Sequence, residues 1–395
     1  MMAHNEAERI APALRSVLNQ DLLNQDLLSS QSPTDEALPT SWPAVQVELR
    51  VLANGCIDNT AQIASQILTE ATHAARFDYL SWSVDIIEQP GKTNAWNLFV
   101  HQLSDREADY LFLVDADIEL LGVHTLRSMV NALIQHRDAY AAVDRPIKDV
   151  VLKTTSKTLP EKLSAAVSSL SGKKLDRPTS EDINGENTKA TPTWLCGQLY
   201  CGRAAALRQI HLPISSLAED GLLYQFLVTD GLRSPANAHR VILAQSAAHS
   251  FEAYVQLGLL LKHERWLIAS NSANDLLLDC LYLRGLSGAE ASRYIDGCNR
   301  ENPFWFHELV AQEAQHRRWL IPKPILTRRF VSLSQKPLLR AVCMLPVAIA
   351  ASLLDLFLAY LANRDLHQGI ALKDWRKPET TPAKAKRHVL KLTKT

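Results

Sequence analysis

Tyr110-Leu-Phe-Leu-Val114-Asp115-Ala-Asp117-Ile-Glu119 is the stretch on which the reading of this chain turns. Five mostly β-prone apolar residues run straight into two carboxylates one residue apart, the pattern of a buried strand that ends at a charged mouth. Side chains at i and i+2 leave a strand end on the same side, so Asp115 and Asp117 present hard oxygen donors together. Such a pair suits Mg²⁺ or Mn²⁺ bridging to substrate phosphates. Asp-x-Asp by itself also occurs in many surface turns. The apolar strand ahead of it adds weight, because a charged pair at the mouth of a core strand costs stability unless something uses it.

Outward from this strand the chain alternates between strand and helix. Ile10, Leu14, Val17 and Leu18 have helical spacing, which puts His4-Asn5-Glu6 just ahead of a helix N-terminus, where backbone donors favour anions. Asn19-Gln-Asp-Leu-Leu23 is repeated as Asn24-Gln-Asp-Leu-Leu28, a small duplication that lengthens the helix or its exit, and a Ser/Pro/Thr-rich loop follows over 29–43. Val45 to Leu52 reads as a strand, Ala53-Asn54-Gly55-Cys56-Ile57-Asp58-Asn59-Thr60 as a polar turn, and the residues from Ala61 as a helix. A third strand from Trp82 to Glu88 leads through Gln89-Pro-Gly91-Lys92-Thr93 into another helix. Gly-Lys-Thr is not a phosphate-binding P-loop here, since Ile86 stands where that motif needs its first glycine. A helix from about Thr125 to Arg137 follows the Asp115/Asp117 strand. In an open α/β sheet of this kind, ligands bind at the strand C-termini, where these polar residues gather.

Further along, residues 152–192 are rich in Lys, Ser, Thr, Asp and Glu and read as a connection or inserted loop. A helix is expected near Ala204 to Ile210, and Glu219-Asp220 opens another. An isolated acidic pair there is ordinarily a helix cap. A long amphipathic helix from Phe251 carries Lys262-His-Glu-Arg265-Trp266, which alone reads as a solvated face with one packed Trp.

The bulk numbers set limits. A chain of 395 residues holds one large α/β domain with appendages, or two domains, and 42 basic against 42 acidic residues give no bulk charge for a nucleic-acid partner. Six scattered cysteines without a C-x-x-C pair fit a reduced cytoplasmic compartment, and no secretory signal opens the chain.

Taken together, His4-Asn5-Glu6, Asn54-Gly55-x-x-Asp58, Gly91-Lys92-x-Asn94-Ala95, Asp115-Ala-Asp117, Glu219-Asp220 and Arg265-Trp266 resemble, in order and spacing, the family 2 glycosyltransferases of GT-A fold. The resemblance covers residues 1–270. It implies an α/β, Rossmann-like, mostly parallel sheet flanked by helices, a nucleotide-sugar donor, Mg²⁺ or Mn²⁺, and inverting transfer of one hexosyl or N-acetylhexosaminyl unit to an acceptor hydroxyl. By the same resemblance, Glu6, Asn54 and Asp58 bind the nucleoside end of the donor. Lys92 and Asp115 lie at the diphosphate, Asp115 and Asp117 hold the metal, and Asp220, paired with Glu219, is the base. Arg265 and Trp266 match the end of a Q-x-x-R-W signature, on phosphate and sugar, with Lys262 where Gln would stand; this favours addition of a single sugar over processive synthesis.

Two further departures bear on the site. Asn54 replaces a common Asp and accepts a hydrogen bond without supplying charge. The family usually has a full first strand and a Pro before the His-Asn-Glu triplet, whereas this sequence starts at Met1-Met2. Either its true start lies upstream or the strand is missing, which would open the sheet where the nucleoside rests.

Beyond 270 a helical C-terminal region is expected, containing the apolar run 341–362 and a Lys-rich end. At about 1.5 Å per residue that run just spans a bilayer core. Asp355 within it and basic residues on both sides fit a simple crossing badly. An interfacial or re-entrant helix on anionic lipid is favoured, with a single span or a core helix as alternatives. The expectation is thus a glycosyltransferase at the cytoplasmic face of the membrane, acting on a glycan or lipid-linked acceptor in cell-surface polysaccharide or lipid-linked glycan synthesis. The alternatives are a sugar nucleotidyltransferase and a non-catalytic subunit or scaffold of the same fold.

Overall fold

Strand alternation separates two cores on either side of the strands, which form a three-stranded and a six-stranded sheet. In β4 (Tyr110–Val114), Leu111 and Leu113 enter one core while Val114 and the half-buried Phe112 enter the other. In β8 (Leu199–Arg203), Tyr200 goes to the first, and Leu199 and Cys201 to the second. The period of two in a sheet buried on both faces accounts for this division. These elements come from a computed structural model that describes residues 1–23, 45–73, 80–153, 158, 161, 191–254 and 256–369. The second copy of the pentapeptide, the loop 29–43, most of the connection 152–192 and the Lys-rich end lie outside the described residues.

The three-stranded sheet, from the N-terminal part, is parallel. β1 (Met2–Ala3) pairs with β2 (Val47–Asn54), which pairs with β3 (Leu80–Ile87). A parallel bridge from Met2 to Asp115 joins this part to β4, fixed by Leu52 N–H donating to Met1 O (2.8 Å) and Ala116 N–H to Met2 O (3.0 Å). The two-residue strand Met2–Ala3 thus lies between β2 and the end of β4, with Met1 and Met2 both buried. The six-stranded sheet that β4 begins is mixed. β4 and β6 (Ala141–Lys148) flank β8 antiparallel, β6 runs parallel to β9 (Val241–Phe251), and β5 (Ile118–Leu121) and the short β7 (Thr191–Pro192) pair antiparallel with β9.

The helices follow the apolar spacing. α1 (Ile10–Leu18) buries Ile10, Leu14, Val17 and Leu18; α2 (Thr60–His73), α3 (Lys92–Leu98) and α4 (Thr125–Gln135) follow β2, β3 and β5. α5 (Glu219–Val228) opens on the acidic pair. The long helix expected from Phe251 begins later, as α6 (Leu257–Leu283), because Phe251 is held in β9 between Ile118 and Lys148. The helix expected at Ala204 to Ile210 is shorter, Ala204–Leu207.

Four helices complete the described chain: α7 (Gly288–Glu301), α8 (Trp305–His316), α9 (Lys323–Ser334) and α10 (Leu338–Gln368). The buried apolar residues of α7, α8 and α10 join the first core, which runs unbroken from Met2 and Trp96 to Ile295, Phe306 and Leu366, while α9 buries none and rests Ile325 and Leu326 against it. A boundary at residue 270 would fall inside α6.

Candidate active site

The site forms where β1, β2 and β4 end side by side. After β1 the backbone turns sharply: Asn5 is left-handed (φ 54°), a conformation its short polar side chain tolerates. The turn is stitched to the one after β2. His4 Nδ1 lies 2.6 Å from Asn54 O, Ile57 N–H donates to Asn5 Oδ1 (2.8 Å), and Glu6 N–H donates to Thr60 Oγ1 (2.8 Å). The β2 turn needs its glycine, since Gly55 has φ +60° and a Cβ there would meet Pro90 Cβ at 2.6 Å.

Asp58 serves this framework. Its carboxylate accepts from Thr60 N–H (3.0 Å), Thr60 Oγ1 (2.5 Å) and Ala7 N–H (3.2 Å). Burial pushes the carboxyl up, but these hydrogen bonds prevail and hold it below the usual range. Asn54 is buried and its Oδ1 accepts from Gly91 N–H (3.2 Å), which ties the β2 turn to the start of α3. Glu6 is half-buried. Burial and then the charges of Asp117, Asp115 and Asp58, partly offset by Arg9, raise its carboxyl to about 7.

Lys92, at the start of α3, is the hub. Its Nζ lies 2.8 Å from Asp115 Oδ2, 2.8 Å from Glu219 Oε1 and 3.0 Å from Gly197 O. Burial opposes its charge, yet Asp115 and Glu219 outweigh that and hold its pKa well above the ordinary lysine value. Asp115 is pushed up to about 7 by burial, against the pull of Lys92 and with the push of Asp117. Glu219 is therefore more than a helix cap. It closes a buried chain Asp115–Lys92–Glu219 that leads to Asp220, whose carboxyl is raised by burial and by Glu219. The segment across from it must be slim: a Cβ on Gly197 would stand 3.1 Å from both Asp220 Cβ and Glu219 Oε1.

At the other end of the strand mouth Arg9 Nη1 lies 3.6 Å from Asp117 Oδ2, and the same guanidinium pairs with Glu252. The structure thus gathers Glu6, Asn54, Asp58, Lys92, Asp115, Asp117, Glu219 and Asp220 around one strand end. Arg265 and Trp266 lie further off, on α6. Arg265 is engaged by Asp365 of α10, and Trp266 packs half-buried against the main core, 5.8 Å ring to ring from His263. Helix α6 does reach the site at its next turns, where a Cβ on Gly221 would meet Asn271 Oδ1 at 2.7 Å. Six residues separate Asn271 from Arg265, about 9 Å along the helix.

Two features escape a reading of the sequence. Arg9 stands one helical turn from Glu6, yet its partner Glu252 is 243 residues away. The fully buried His249 has Nδ1 2.7 Å from Asp144 Oδ2 and Nε2 3.3 Å from Gln198 Oε1, and Gln198 O in turn accepts from Asp115 N–H (2.8 Å). Asp144 and His249 are 105 positions apart, on strands whose pairing no local spacing encodes.

Asp115 and Asp117 offer carboxylate oxygens to a cation, a hard donor set that suits Mg²⁺ or Mn²⁺. Burial first, and then repulsion from neighbouring carboxylates, raises Glu6 and Asp115, and a divalent ion would relieve the second of these; among the described residues no group of three or more His, Cys, Asp or Glu is placed to hold one.

A parallel three-stranded and a mixed six-stranded sheet, with an acidic strand mouth beside the partly buried Lys92, make an α/β arrangement of the GT-A kind. Residues 1–187, a little under half of the 395-residue chain, match the model of glycosyl transferase family 2. No curated protein matched the chain. Among solved structures it is similar to the glucosyl-3-phosphoglycerate synthase of Mycobacterium tuberculosis, at 16% identity and a TM-score of 0.37, over 69% of this chain and 78% of that one. It is also similar to the same enzyme in complex with Mn²⁺, UDP-glucose and glycerol 3-phosphate, at 16% identity and a TM-score of 0.35, over 69% and 77% of the two chains.

Proposed function

We propose that this glycosyltransferase moves one hexosyl or N-acetylhexosaminyl unit from a nucleotide-sugar to an acceptor hydroxyl, with inversion, at the cytoplasmic face of a membrane. The product belongs to a cell-surface polysaccharide or a lipid-linked glycan. One observation carries the reading: the elevated Asp220 carboxylate sits at the end of the buried Asp115–Lys92–Glu219 chain that starts at the strand mouth.

Glu6, Asn54 and Asp58 flank the nucleoside end, where the stitched turns after β1 and β2 leave little freedom. Asp115 and Asp117 would hold a divalent cation, which neutralises charge developing on the departing diphosphate. Lys92 adds positive charge beside Asp115, and Glu219 fixes it there. Asp220 takes the proton of the acceptor hydroxyl as its oxygen attacks the anomeric carbon. The bond from that carbon to the diphosphate oxygen breaks, and the nucleoside diphosphate leaves. A carboxylate shifted upward is a better base for this step than an ordinary Asp. Arg265 and Trp266 on α6 belong to the acceptor side in this reading.

The test is Asp220→Asn, assayed by transfer from a panel of nucleotide-sugars and by donor binding. A loss of transfer of about 10²–10⁴-fold with donor affinity retained is expected. Unchanged transfer would remove Asp220 from the role of base, and an NMR product with retained anomeric configuration would remove the single displacement.

A further inference from the structure

Helix α10 is anchored at one end and bare at the other. Its second half is buried in the main core through Leu358, Ala359, Ala362 and Leu366, while from Leu338 to Leu354 no residue is buried. That bare segment covers 17 residues, about 25 Å of helix. Leu338, Val342, Leu345, Val347, Ile349, Leu353 and Leu354 are all exposed on it. At 100° per residue they sweep an arc of roughly 200°, wider than the stripe that a single partner helix covers.

The polar side of the same helix explains how an Asp sits in this apolar run. Asp355 is buried, and both its oxygens are taken by two arginines of α9: Arg328 Nη2 at 2.8 Å and Nε at 3.0 Å, Arg329 Nε at 2.8 Å and Nη2 at 3.2 Å. Arg328 also lies 3.7 Å from Glu264 of α6. The chain thus leaves the body through α9 and returns to it at Asp355. With 12 residues, about 18 Å, α9 is too short to cross a bilayer core of about 30 Å, so the pair enters and leaves on one side.

We propose that the α9–α10 pair lies within one leaflet of an anionic bilayer, its apolar arc among the acyl chains and its cations at the headgroup phosphates. The inference deepens the membrane part of the reading above and is independent of the transfer chemistry. The charge distribution supports lipid as the occupant. Between Lys323 and Leu361 the sequence has five cations against the single acid Asp355, and with Arg328 and Arg329 held by that acid, Lys323, Lys336 and Arg340 are left to meet phosphate. Arg340 falls about 20° beyond the edge of the apolar arc, where its stem can run along the acyl region while its head reaches phosphate. A crossing orientation would instead put Arg340 about 22 Å from Asp355, near the far headgroups, and α9, only about 18 Å long, could not bring the chain back across the core. The seat also sets the height of the acceptor side, because Glu264 and the neighbouring Arg265 tie α6 to α9 and α10.

The experiment uses the full chain and vesicles of phosphatidylcholine with or without about 30% phosphatidylglycerol, a content chosen to give a negative surface potential. Flotation is expected with the anionic vesicles, and Leu345→Asp with Ile349→Asp should reduce the bound fraction at least tenfold while leaving the melting curve unchanged, since both side chains are exposed. Cys343, an exposed thiol on the bare segment, carries a fluorophore that lipids with a shallow quencher should quench more than lipids with a deep one. No flotation at all would overturn both this proposal and the membrane reading. Flotation that survives the double substitution would overturn the proposal alone. So would labelling of Leu338→Cys by an impermeant maleimide trapped inside the vesicles, which marks a crossing. A dimer in buffer that the same substitutions dissociate, without flotation of the parent chain, would assign the surface to a second copy.

Discussion

Replacing Lys92 by Met tests the hub directly. The ammonium lies 2.8 Å from a carboxylate oxygen of both Asp115 and Glu219 and 3.0 Å from Gly197 O, and these side chains are 18%, 19% and 8% exposed for Lys92, Asp115 and Glu219. At an effective dielectric of about 20, each pair is worth roughly 4 kcal/mol of Coulomb energy at 4 Å separation, and burial of the lysine charge offsets part of that sum. Removing one partner leaves two carboxylates facing each other with no counter-charge, a change that typically costs about 3–5 kcal/mol. For a chain of 395 residues the melting temperature should fall by roughly 4–6 °C, taking about 1.2 °C per kcal/mol from an unfolding entropy of about 2.1 cal/mol/K per residue. The assay is thermal and urea unfolding of the parent chain, Lys92→Met and Lys92→Arg side by side, with the urea slope checked for constancy. Lys92→Arg keeps the charge and should recover part of the loss. A cost under about 1 kcal/mol for Lys92→Met would show that Asp115 and Glu219 do not depend on Lys92, and the buried chain would no longer connect the strand mouth to Asp220.

Gly55→Ala should destabilise by about 2–5 kcal/mol in urea unfolding, combining the left-handed backbone penalty with overpacking against Pro90. Burial and Glu219 raise the Asp220 carboxyl, so the base is lost to protonation at a pH above the ordinary Asp range of about 3.9. The acid limb of the transfer rate should therefore lie above that value and fall as pH decreases through it; a limb at or below the ordinary range would refute the assignment. Removing divalent cations with a chelator should weaken donor binding in calorimetry at pH 8, and Asp117→Asn should weaken the response to added Mn²⁺, whereas cation-independent donor affinity would contradict the role given to Asp115 and Asp117.

The sequence carries the parts of this site that are local and hides those that are made by pairing. Apolar alternation and helical spacing sufficed for β2, β3, β4 and α1, because each buries a face whose period is written in consecutive residues. The front of the sheet was not legible. Two residues are too short for any period, and Met2–Ala3 becomes a strand only because β2 and β4 both offer it backbone partners. The end of β9 is hidden from a local reading for a related reason. Phe251 starts an apolar stretch of helical appearance, and cross-strand partners on both sides keep it extended. Glu219 shows the same limit within the site. As a residue at a helix start it looks like a cap, and its engagement by Lys92, 127 positions earlier, arises only when α3 and α5 meet across Gly197.

The charge inventory of the strand mouth bears on how a nucleotide-sugar would be held there. Lys92 is shared by Asp115 and Glu219, and Arg9 by Asp117 and Glu252, so each cation already faces two carboxylates. Glu6 and Asp220 add further acidic groups whose ionised forms burial disfavours. Arg265 contributes no free positive charge to the strand mouth, because Asp365 engages it in a two-point pair. A diphosphate entering this mouth brings more negative charge into a region that already has an excess of it. Recognition through the protein's own cations alone would have to break the Lys92 or Arg9 pairs, each time exposing a partly buried carboxylate. Charge imported with the donor avoids that cost, and the oxygens of Asp115 and Asp117 are the groups at the strand mouth whose chemistry suits it. In the proposed reading, the acidic pair at the end of β4 would therefore seat positive charge that accompanies the donor rather than touch the diphosphate directly.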